Sequence, residues 1–114
     1  LRFPHKLRAM LDSGRFRSLW WSHQGKCVAI NEGLFKEEVL GRAGPRQGFN
    51  MKSFICQLNR YGFTRVHPDE PRSASLPEFL AEEEAASAHS QVLYYYNPSF
   101  SRDRHHLLNN CKRR

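Results

Sequence analysis

The strongest constraint on the fold is an amphipathic pattern in the middle of the chain, between Asn50 and Gly62. Apolar residues recur there at i, i+3, i+4 and i+7, which predicts one buried stripe of an α-helix. Asn50 is a residue type that caps helix N-termini, and Gly62 is a type that ends helices. The sequence therefore predicts a helix over 50–61, and its buried stripe consists of Met51, Phe54, Ile55 and Leu58.

The opposite face of this helix carries hydrogen-bond donors, amides and cations but no carboxylate. Side chains of these types read base edges and contact phosphates in DNA. The alternative, from this stretch alone, is an ordinary surface helix with a solvated polar side. With successive residues about 100° apart, the polar face presents Lys52, Ser53, Cys56, Asn59 and Arg60, with Gln57 at its edge.

Charge is distributed unevenly along the chain. The net charge is +7, yet residues 69–84 hold six of the eleven acidic residues and a single basic one, Arg72. The rest of the chain is therefore strongly basic. A compact basic body favours a polyanionic partner, because each neutralised phosphate releases counterions. We therefore expect nucleic acid as the partner. A basic protein without such a partner is the alternative, and a membrane surface is disfavoured further.

Composition and spacing argue against several other classes of protein. No apolar run approaches the ~18 residues of a membrane span, and no signal-peptide pattern opens the chain. Cys27, Cys56 and Cys111 are widely spaced and form no C-x-x-C pair, so neither a disulfide framework nor a zinc site is predicted. Free thiols indicate a reducing compartment inside the cell. No catalytic Ser/His/Asp or Cys/His order and no phosphate-cradling glycine loop is present. We expect no enzyme, no cofactor and no small-molecule substrate.

Local patterns predict the elements that precede the central helix. Trp20 and Trp21 alternate on a strand, so one is expected to pack inward and the other to lie at a rim. The predicted elements are a helix from Phe3 to Leu11 ended by 12–14, strands over 18–22 and 27–30 joined by a hairpin loop over 23–26, a second helix opened by Asn31, and a basic Gly/Pro-rich turn over 41–48.

After Gly62 the pattern predicts a wing. A strand over 63–67 and a β-prone run over 92–96 are expected to pair across a long polar insert, 67–91. The insert contains the acidic cluster and a possible short helix from Leu76 to Ala86. Phosphates would repel its carboxylates, so we expect it to project away from a duplex or to be mobile. A last helical or extended segment, 100–110, is expected to be anchored by Leu107 and Leu108.

The motif S-F-I-C-Q-L-N-R-Y-G-F-T-R-V at residues 53–66 resembles the recognition helix and following strand of the heat shock transcription factors. Their pattern runs Ser-Phe-Val-Arg-Gln-Leu-Asn-x-Tyr-Gly-Phe-x-Lys-Val. The resemblance covers nearly the whole chain. Features at 31–35, 79–83 and 95–98 are most similar to the divergent, sex-chromosome-linked members of the family.

The resemblance implies an α+β fold: a winged helix-turn-helix made of a three-helix bundle and a small four-stranded antiparallel sheet. It implies one domain over 1–114, with 67–91 as an acidic wing insert, in a nuclear transcription factor. The helix over 50–61 would lie in the major groove of double-stranded DNA. The family reads short inverted repeats centred on G-A-A, usually as a trimer assembled through a coiled coil. No heptad repeat is present here, so this segment is expected to be monomeric.

The DNA-binding residues expected from the polar face and the resemblance together are Lys52, Ser53, Cys56, Gln57, Asn59, Arg60, Tyr61, Arg65 and Arg102. Of these, Lys52, Arg65 and Arg102 are expected to contact phosphates.

Cys56 is the main departure from the family pattern, because it occupies the position of the family's guanine-reading arginine. A thiol is a weak donor and cannot form the bidentate contact that a guanidinium makes to guanine. We therefore expect sequence specificity to be weakened or altered. Arg60, one turn further on, is a hypothetical replacement, and a solvated or phosphate-bound Arg60 is the alternative. Two interpretations of an exposed Cys56 thiol remain: a redox role, or an inert small side chain.

A protein-interaction module is the main rival function. Such a module would keep the winged-helix fold and would have lost specific DNA binding. The Gly/Pro content of 41–49 also differs from the family's linker, so phosphate contacts there are not expected to carry over.

Overall fold

The computed structural model of the chain describes residues 2–40, 51–67 and 75–113. The predicted turn over 41–49 and the predicted cap Asn50 lie outside these residues. In chain order the elements are α1 (Phe3–Ser13), β1 (Leu19–Ser22), β2 (Cys27–Asn31), α2 (Glu32–Phe35) continued by a π-helical segment (Lys36–Leu40), α3 (Met51–Arg60), β3 (Thr64–Val66), α4 (Leu76–Ser87), β4 (Val92–Tyr96) and a 3₁₀-helix (His105–Asn110).

The four strands form one antiparallel sheet in the order β1-β2-β4-β3. Tyr95 of β4 lies opposite Val28 of β2 on one side and Arg65 of β3 on the other. The predicted pairing across the insert is therefore confirmed. Strand β3 is shorter than the predicted 63–67. At its start, the N–H of Phe63 bonds back to α3 and the Phe63 ring packs in the core.

Alternation along the strands gives the sheet two different faces. Val28, Ile30, Leu93 and Tyr95 belong to the hydrophobic core, which also contains the apolar residues of α1 and α3. Tyr94 lies between two of these core residues on β4 and therefore points to the opposite, outer face. The three helices α1, α2 and α3 thus pack on one side of the sheet, and the sheet has a second side that needs a cover of its own.

The first two helices begin and end close to where the sequence predicts. Pro4 lies in the first turn of α1, and the helix ends at Ser13, immediately before Gly14. Asn31 caps α2, because its Oδ1 accepts a hydrogen bond from the backbone N–H of Leu34 at 3.2 Å.

Helix α3 carries the predicted apolar stripe. Met51, Phe54 and Leu58 are buried, and Ile55 is half-buried. The ring of Phe54 lies 4.6 Å from Phe35 of α2 and 5.6 Å from Phe3 of α1, measured between centroids. The stripe therefore fixes α3 against both other helices of the bundle.

Helix α3 ends in a Schellman motif at Gly62. The N–H of Phe63 donates to the carbonyl of Leu58 at 2.9 Å, and the N–H of Gly62 donates to Asn59 at 3.1 Å. Gly62 has φ +84°, a left-handed conformation that costs other residues strain. Leu58 and Phe63 both lie in the core, and this apolar contact is typical of the motif.

Helix α4, predicted over 76–86 within the insert, covers the outer face of the sheet. The Tyr94 hydroxyl donates to Glu82 at 3.2 Å, and Arg17 forms a 2.6 Å ion pair with Glu84. Ala85, the residue that follows Glu84, is fully buried. The described part of the acidic insert is thus a helix packed on the side of the sheet away from α3.

The two tryptophans and the C-terminal segment also take the predicted roles in part. Trp21 packs inward, with its ring 5.4 Å from that of Phe100, whereas Trp20 lies on the other face and is half-buried as well.

In the C-terminal 3₁₀-helix Leu108 is buried, but Leu107 is only half-buried. Leu108 is therefore the main anchor of that segment.

A buried arginine that the sequence did not single out joins α1 to the C-terminal segment. Arg8 is 7% exposed, and its guanidinium donates to the backbone carbonyls of Ser101 and, at 2.7 Å, Arg102. The same group pairs with Asp12 at 3.1 Å and lies 5.3 Å from the Trp21 ring centroid. Arg8 therefore supplies hydrogen bonds to two backbone carbonyls that lie outside helices and strands.

Replacing Arg8 with methionine is expected to lower the free energy of unfolding by about 1.5–3 kcal/mol, because charged hydrogen bonds are lost and buried acceptors are left unpaired. Chemical denaturation of the wild type and the variant measures this change. Arg15→Met is the matched control, since Arg15 is exposed, and it should change stability by less than about 0.5 kcal/mol. Equal effects of the two substitutions would contradict this role of Arg8.

Candidate nucleic-acid interface

The exposed face of α3 carries two cations, Lys52 and Arg60, and no carboxylate. Lys52, Cys56, Asn59 and Arg60 are exposed, and Ser53 and Gln57 are half-buried beside them. The helix contains no Asp or Glu. A phosphate or a base edge approaching this face therefore meets donors and positive charge, with no anion to repel it.

The structure brings five of the nine predicted site residues together around one shallow depression. Its centre is Cys56, which shares the surface with Arg60 one helical turn further on. The residues that line the depression are Lys52, Ser53, Cys56, Gln57 and Arg60. The predicted face is thus a continuous surface, and its central side chain is a short thiol.

Tyr61 lies at the edge of this surface rather than in its centre. Its ring stacks on Phe3 at a centroid distance of 5.6 Å and packs against the hydrophobic core. The ring therefore helps to fix the C-terminal end of α3 on α1, which limits how far it can turn toward a ligand.

Arg65 is also partly committed to the fold. It lies opposite Tyr95 in the sheet and is half-buried. Burial raises the pKa of the Tyr95 hydroxyl, and the neighbouring Arg65 guanidinium opposes that rise by stabilising the phenolate. Any phosphate contact from Arg65 therefore competes with this internal interaction.

Arg102 lies against the β1–β2 hairpin. Its backbone N–H donates to the carbonyl of Gly25 at 2.8 Å. A Cβ added at Gly25 would lie 2.8 Å from the Cβ of Arg102, and Gly25 has φ +86°, so only glycine fits this turn. The Arg102 guanidinium is exposed and contacts Asp103 at 3.4 Å.

Two residues that the sequence did not indicate hold the C-terminal end of α3. The carbonyl of Tyr61, just past the helix, accepts a hydrogen bond from Asn97 Nδ2 at 2.8 Å and one from Cys111 Sγ at 3.7 Å. Asn97 also donates to the Cys111 sulfur at 3.5 Å. Asn97 and Cys111 are both buried, so the C-terminal segment fixes the orientation of α3 through this contact.

Sequence reasoning had little chance of finding this contact. Asn97 reads as a turn residue before Pro98, and Cys111 as one of three scattered cysteines. The carbonyl that they bind belongs to a residue about 36 and 50 positions away, and no periodicity relates such distant residues.

Within residues 2–40, 51–67 and 75–113, no group of three or more His, Cys, Asp or Glu side chains could hold a metal ion. In the same ranges no helix has the length and apolar character needed to cross a membrane. All three cysteines are free thiols, with Cys56 exposed and the other two buried.

The three-helix bundle, the four-stranded sheet and the β3–β4 wing define a winged helix-turn-helix domain. Crystal structures of Chaetomium thermophilum Skn7 with SSRE DNA and with HSE DNA share this fold with TM-scores of 0.68 and 0.66. Each is 25% identical in sequence, and the matches cover 98% and 97% of this chain and 98% of each Skn7 chain.

The model of the HSF-type DNA-binding family matches residues 3–114, and the chain belongs to that family. The human Y-linked heat shock transcription factor is 44% identical over 100% of this chain, and the human X-linked one is 36% identical over 100%. These relatives are transcription factors rather than enzymes. The chain spans 29% and 27% of their lengths, under a third in each case.

The Cys111 contact predicts a specific loss of stability at alkaline pH. Burial raises the pKa of the Cys111 thiol from 9.0 to about 11. Because folding keeps the thiol neutral, its contribution is complete below pH 9 and is lost as the pH rises toward 11. The wild type should lose about 1–2 kcal/mol more stability across this window than Cys111→Ser.

Thermal unfolding between pH 8 and 11 measures this difference, and Cys56→Ser, at the exposed cysteine, should follow the wild type. If Cys111→Ser loses stability as steeply as the wild type, the buried thiol does not titrate in this way.

Proposed function

We propose that this chain binds double-stranded DNA by placing α3 in the major groove, as the DNA-binding domain of a nuclear transcription factor. The observation that carries the proposal is the exposed, carboxylate-free face of α3 around Cys56. Membership of the HSF-type DNA-binding family and the likeness to Skn7 structures with DNA support it. We expect the chain alone to be a monomer, because its sequence contains no heptad repeat.

Phosphate contacts supply the affinity in this proposal. Lys52 lies in the first turn of α3 with its side chain exposed, so it reaches the backbone beside the groove. Arg102, which lies against the β1–β2 hairpin, has an exposed side chain, and the half-buried Arg65 adds positive charge from β3. Phosphate contacts fix orientation and depend on salt, but they carry no sequence information.

Base readout is weakened or altered in this proposal because the central side chain is Cys56. In the family pattern this position holds an arginine, whose guanidinium would reach both acceptors of a guanine. Gln57 and Asn59 remain able to pair with adenine, but a thiol cannot replace two parallel charged hydrogen bonds. The chain therefore binds DNA with less discrimination between sequences than a domain that has arginine there.

Arg60 offers one way in which the readout is altered rather than lost. It is exposed, lines the same depression as Cys56 and lies one helical turn, about 5.4 Å, further along the axis. A guanidinium displaced by that distance would contact a neighbouring base pair instead of the original one. Arg60→Ala would then remove sequence preference, whereas an Arg60 that only contacts phosphate would lose affinity for all sequences alike.

Restoring arginine at position 56 is expected to restore sequence discrimination. Cys56→Arg should raise the ratio of affinities for inverted G-A-A repeats over scrambled duplex by roughly 5- to 150-fold, the equivalent of 1–3 kcal/mol. Fluorescence anisotropy with both duplexes at one fixed salt concentration measures the ratio. Ala86→Arg adds the same charge on exposed α4, away from α3, and should leave the ratio unchanged.

Two outcomes would count against the proposal. A wild type that already discriminates as well as Cys56→Arg would show that the thiol does not weaken readout. A wild type that binds no duplex even at low salt would favour a protein-interaction module that has kept only the fold.

Removing the Lys52 charge should weaken binding to all duplexes equally. In Lys52→Gln the slope of log K against log salt concentration is expected to become less steep by about 0.9, the contribution of one phosphate contact. Lys36→Gln, on α2, is the control, because Lys36 pairs with Glu32 at 3.5 Å. A change in sequence preference without a change in slope would place Lys52 on a base instead of a phosphate.

A further inference from the structure

Helix α4 exposes three large apolar side chains and buries one of its acidic residues, unlike an ordinary surface helix. Leu76, Phe79 and Leu80 are 69%, 52% and 57% exposed, while Glu78 is only 8% exposed. A surface helix usually buries its large apolar residues and exposes its acids. The packing of α4 on the sheet therefore does not account for the three apolar side chains.

The exposed residues form one surface rather than scattered positions. Leu76, Phe79 and Leu80 lie at i, i+3 and i+4, so they are neighbours on one side of the helix. Glu83 follows one turn later on the same side and is exposed. We call these four residues the α4 face. It consists of three apolar side chains in one turn with a carboxylate at one end.

The α4 face is positioned by contacts that the rest of the helix makes with the body of the domain. Ser75 caps the first turn by accepting from the N–H of Glu78 at 3.4 Å. Glu82 and Glu84 bind Tyr94 and Arg17 of the body, and Ala85 is fully buried. Since the helix is already formed and docked, a partner would pay little ordering entropy to bind it.

The chemistry of the α4 face identifies the kind of partner. We propose that it docks a protein surface that presents apolar side chains between lysines or arginines, in the manner of an amphipathic helix laid in a groove. Contiguous exposed apolar residues mark interaction sites, and the Glu83 carboxylate at their edge favours a cation on the partner through charge complementarity. The partner cannot be a phosphate backbone or an anionic lipid surface, because the local charge of this segment is negative.

The position of the α4 face makes this docking compatible with the DNA contact proposed above. Helix α4 covers the outer face of the sheet, whereas α3 packs on the inner face through Phe54 and Leu58. A partner on α4 would therefore leave the polar side of α3 free. Docking at the α4 face does not require that the chain bind DNA.

A defined peptide probe tests the chemistry directly. The probe is a short amphipathic helical peptide with leucines on one side flanked by lysines, titrated into the ¹⁵N-labelled chain and followed by NMR. A leucine/glutamate peptide and a glutamine/lysine peptide separate the apolar and charged contributions. We expect shift changes confined to 76–87 with the leucine/lysine peptide, and much smaller ones with either of the others.

Variants on the α4 face should abolish this response without unfolding the chain. Phe79→Ser combined with Leu80→Ser should weaken the affinity for the peptide at least about tenfold, because two apolar contacts that the peptide would bury are lost. Glu83→Gln should weaken peptide binding less than the double variant does. Glu37→Gln removes an exposed acid from the π-helical segment after α2 and should leave peptide binding unchanged. The double variant should keep the wild-type spectrum outside α4 and the wild-type affinity for DNA.

Three results would overturn the proposal. One is the absence of shifts in α4 with the leucine/lysine peptide. Another is an equal response to the leucine/glutamate peptide, which would remove the cationic requirement. The third is a concentration-dependent shift of 76–87 in the chain alone, matched by dimers in sedimentation, which would make a second copy of the chain the occupant.

Discussion

The burial of Phe54 against the rings of Phe3 and Phe35 is the contact on which the arrangement of this domain depends. It fixes α3 to both other helices at once, and Leu58, one turn further on, adds a fully buried side chain. Burying such side chains contributes about 1.5–3 kcal/mol each. Because this stripe must face the core, the polar side of α3 must face solvent. The direction of the candidate DNA-binding surface is therefore a consequence of core packing.

The C-terminal segment closes the structure around that bundle. Arg8 binds carbonyls of the segment from α1, and Asn97 and Cys111, which flank the segment, bind the Tyr61 carbonyl just past α3. Both contacts supply hydrogen bonds to backbone groups that lie outside regular structure, where an unpaired buried carbonyl would cost free energy. The polar face of α3 is thus oriented from two directions, by apolar rings at its side and by hydrogen bonds at its end.

Two surfaces of opposite chemistry lie on opposite sides of the sheet. The α3 surface is cationic with Cys56 in its centre, and the α4 face is apolar with Glu83 at its end. The uneven charge of the sequence corresponds to this separation. The cationic α3 surface and the α4 face can share one small domain because the sheet and its core separate them. The separation keeps the negative charge of α4 from weakening the positive potential at α3.

The amino-acid sequence by itself determined the helices, the strands and the polar side of α3, because each depends on periodicity or on residue types within one segment. It also predicted the wing pairing, because two β-prone runs flank a single polar insert. It also identified Cys56 as the departure from the family pattern. Only the tertiary structure revealed the Arg8 contacts, the Asn97–Cys111 contact, the commitment of Arg65 to Tyr95 and the exposed apolar side chains of α4. These depend on residues far apart in the chain, whose meeting is decided by packing of the whole core rather than by any local pattern.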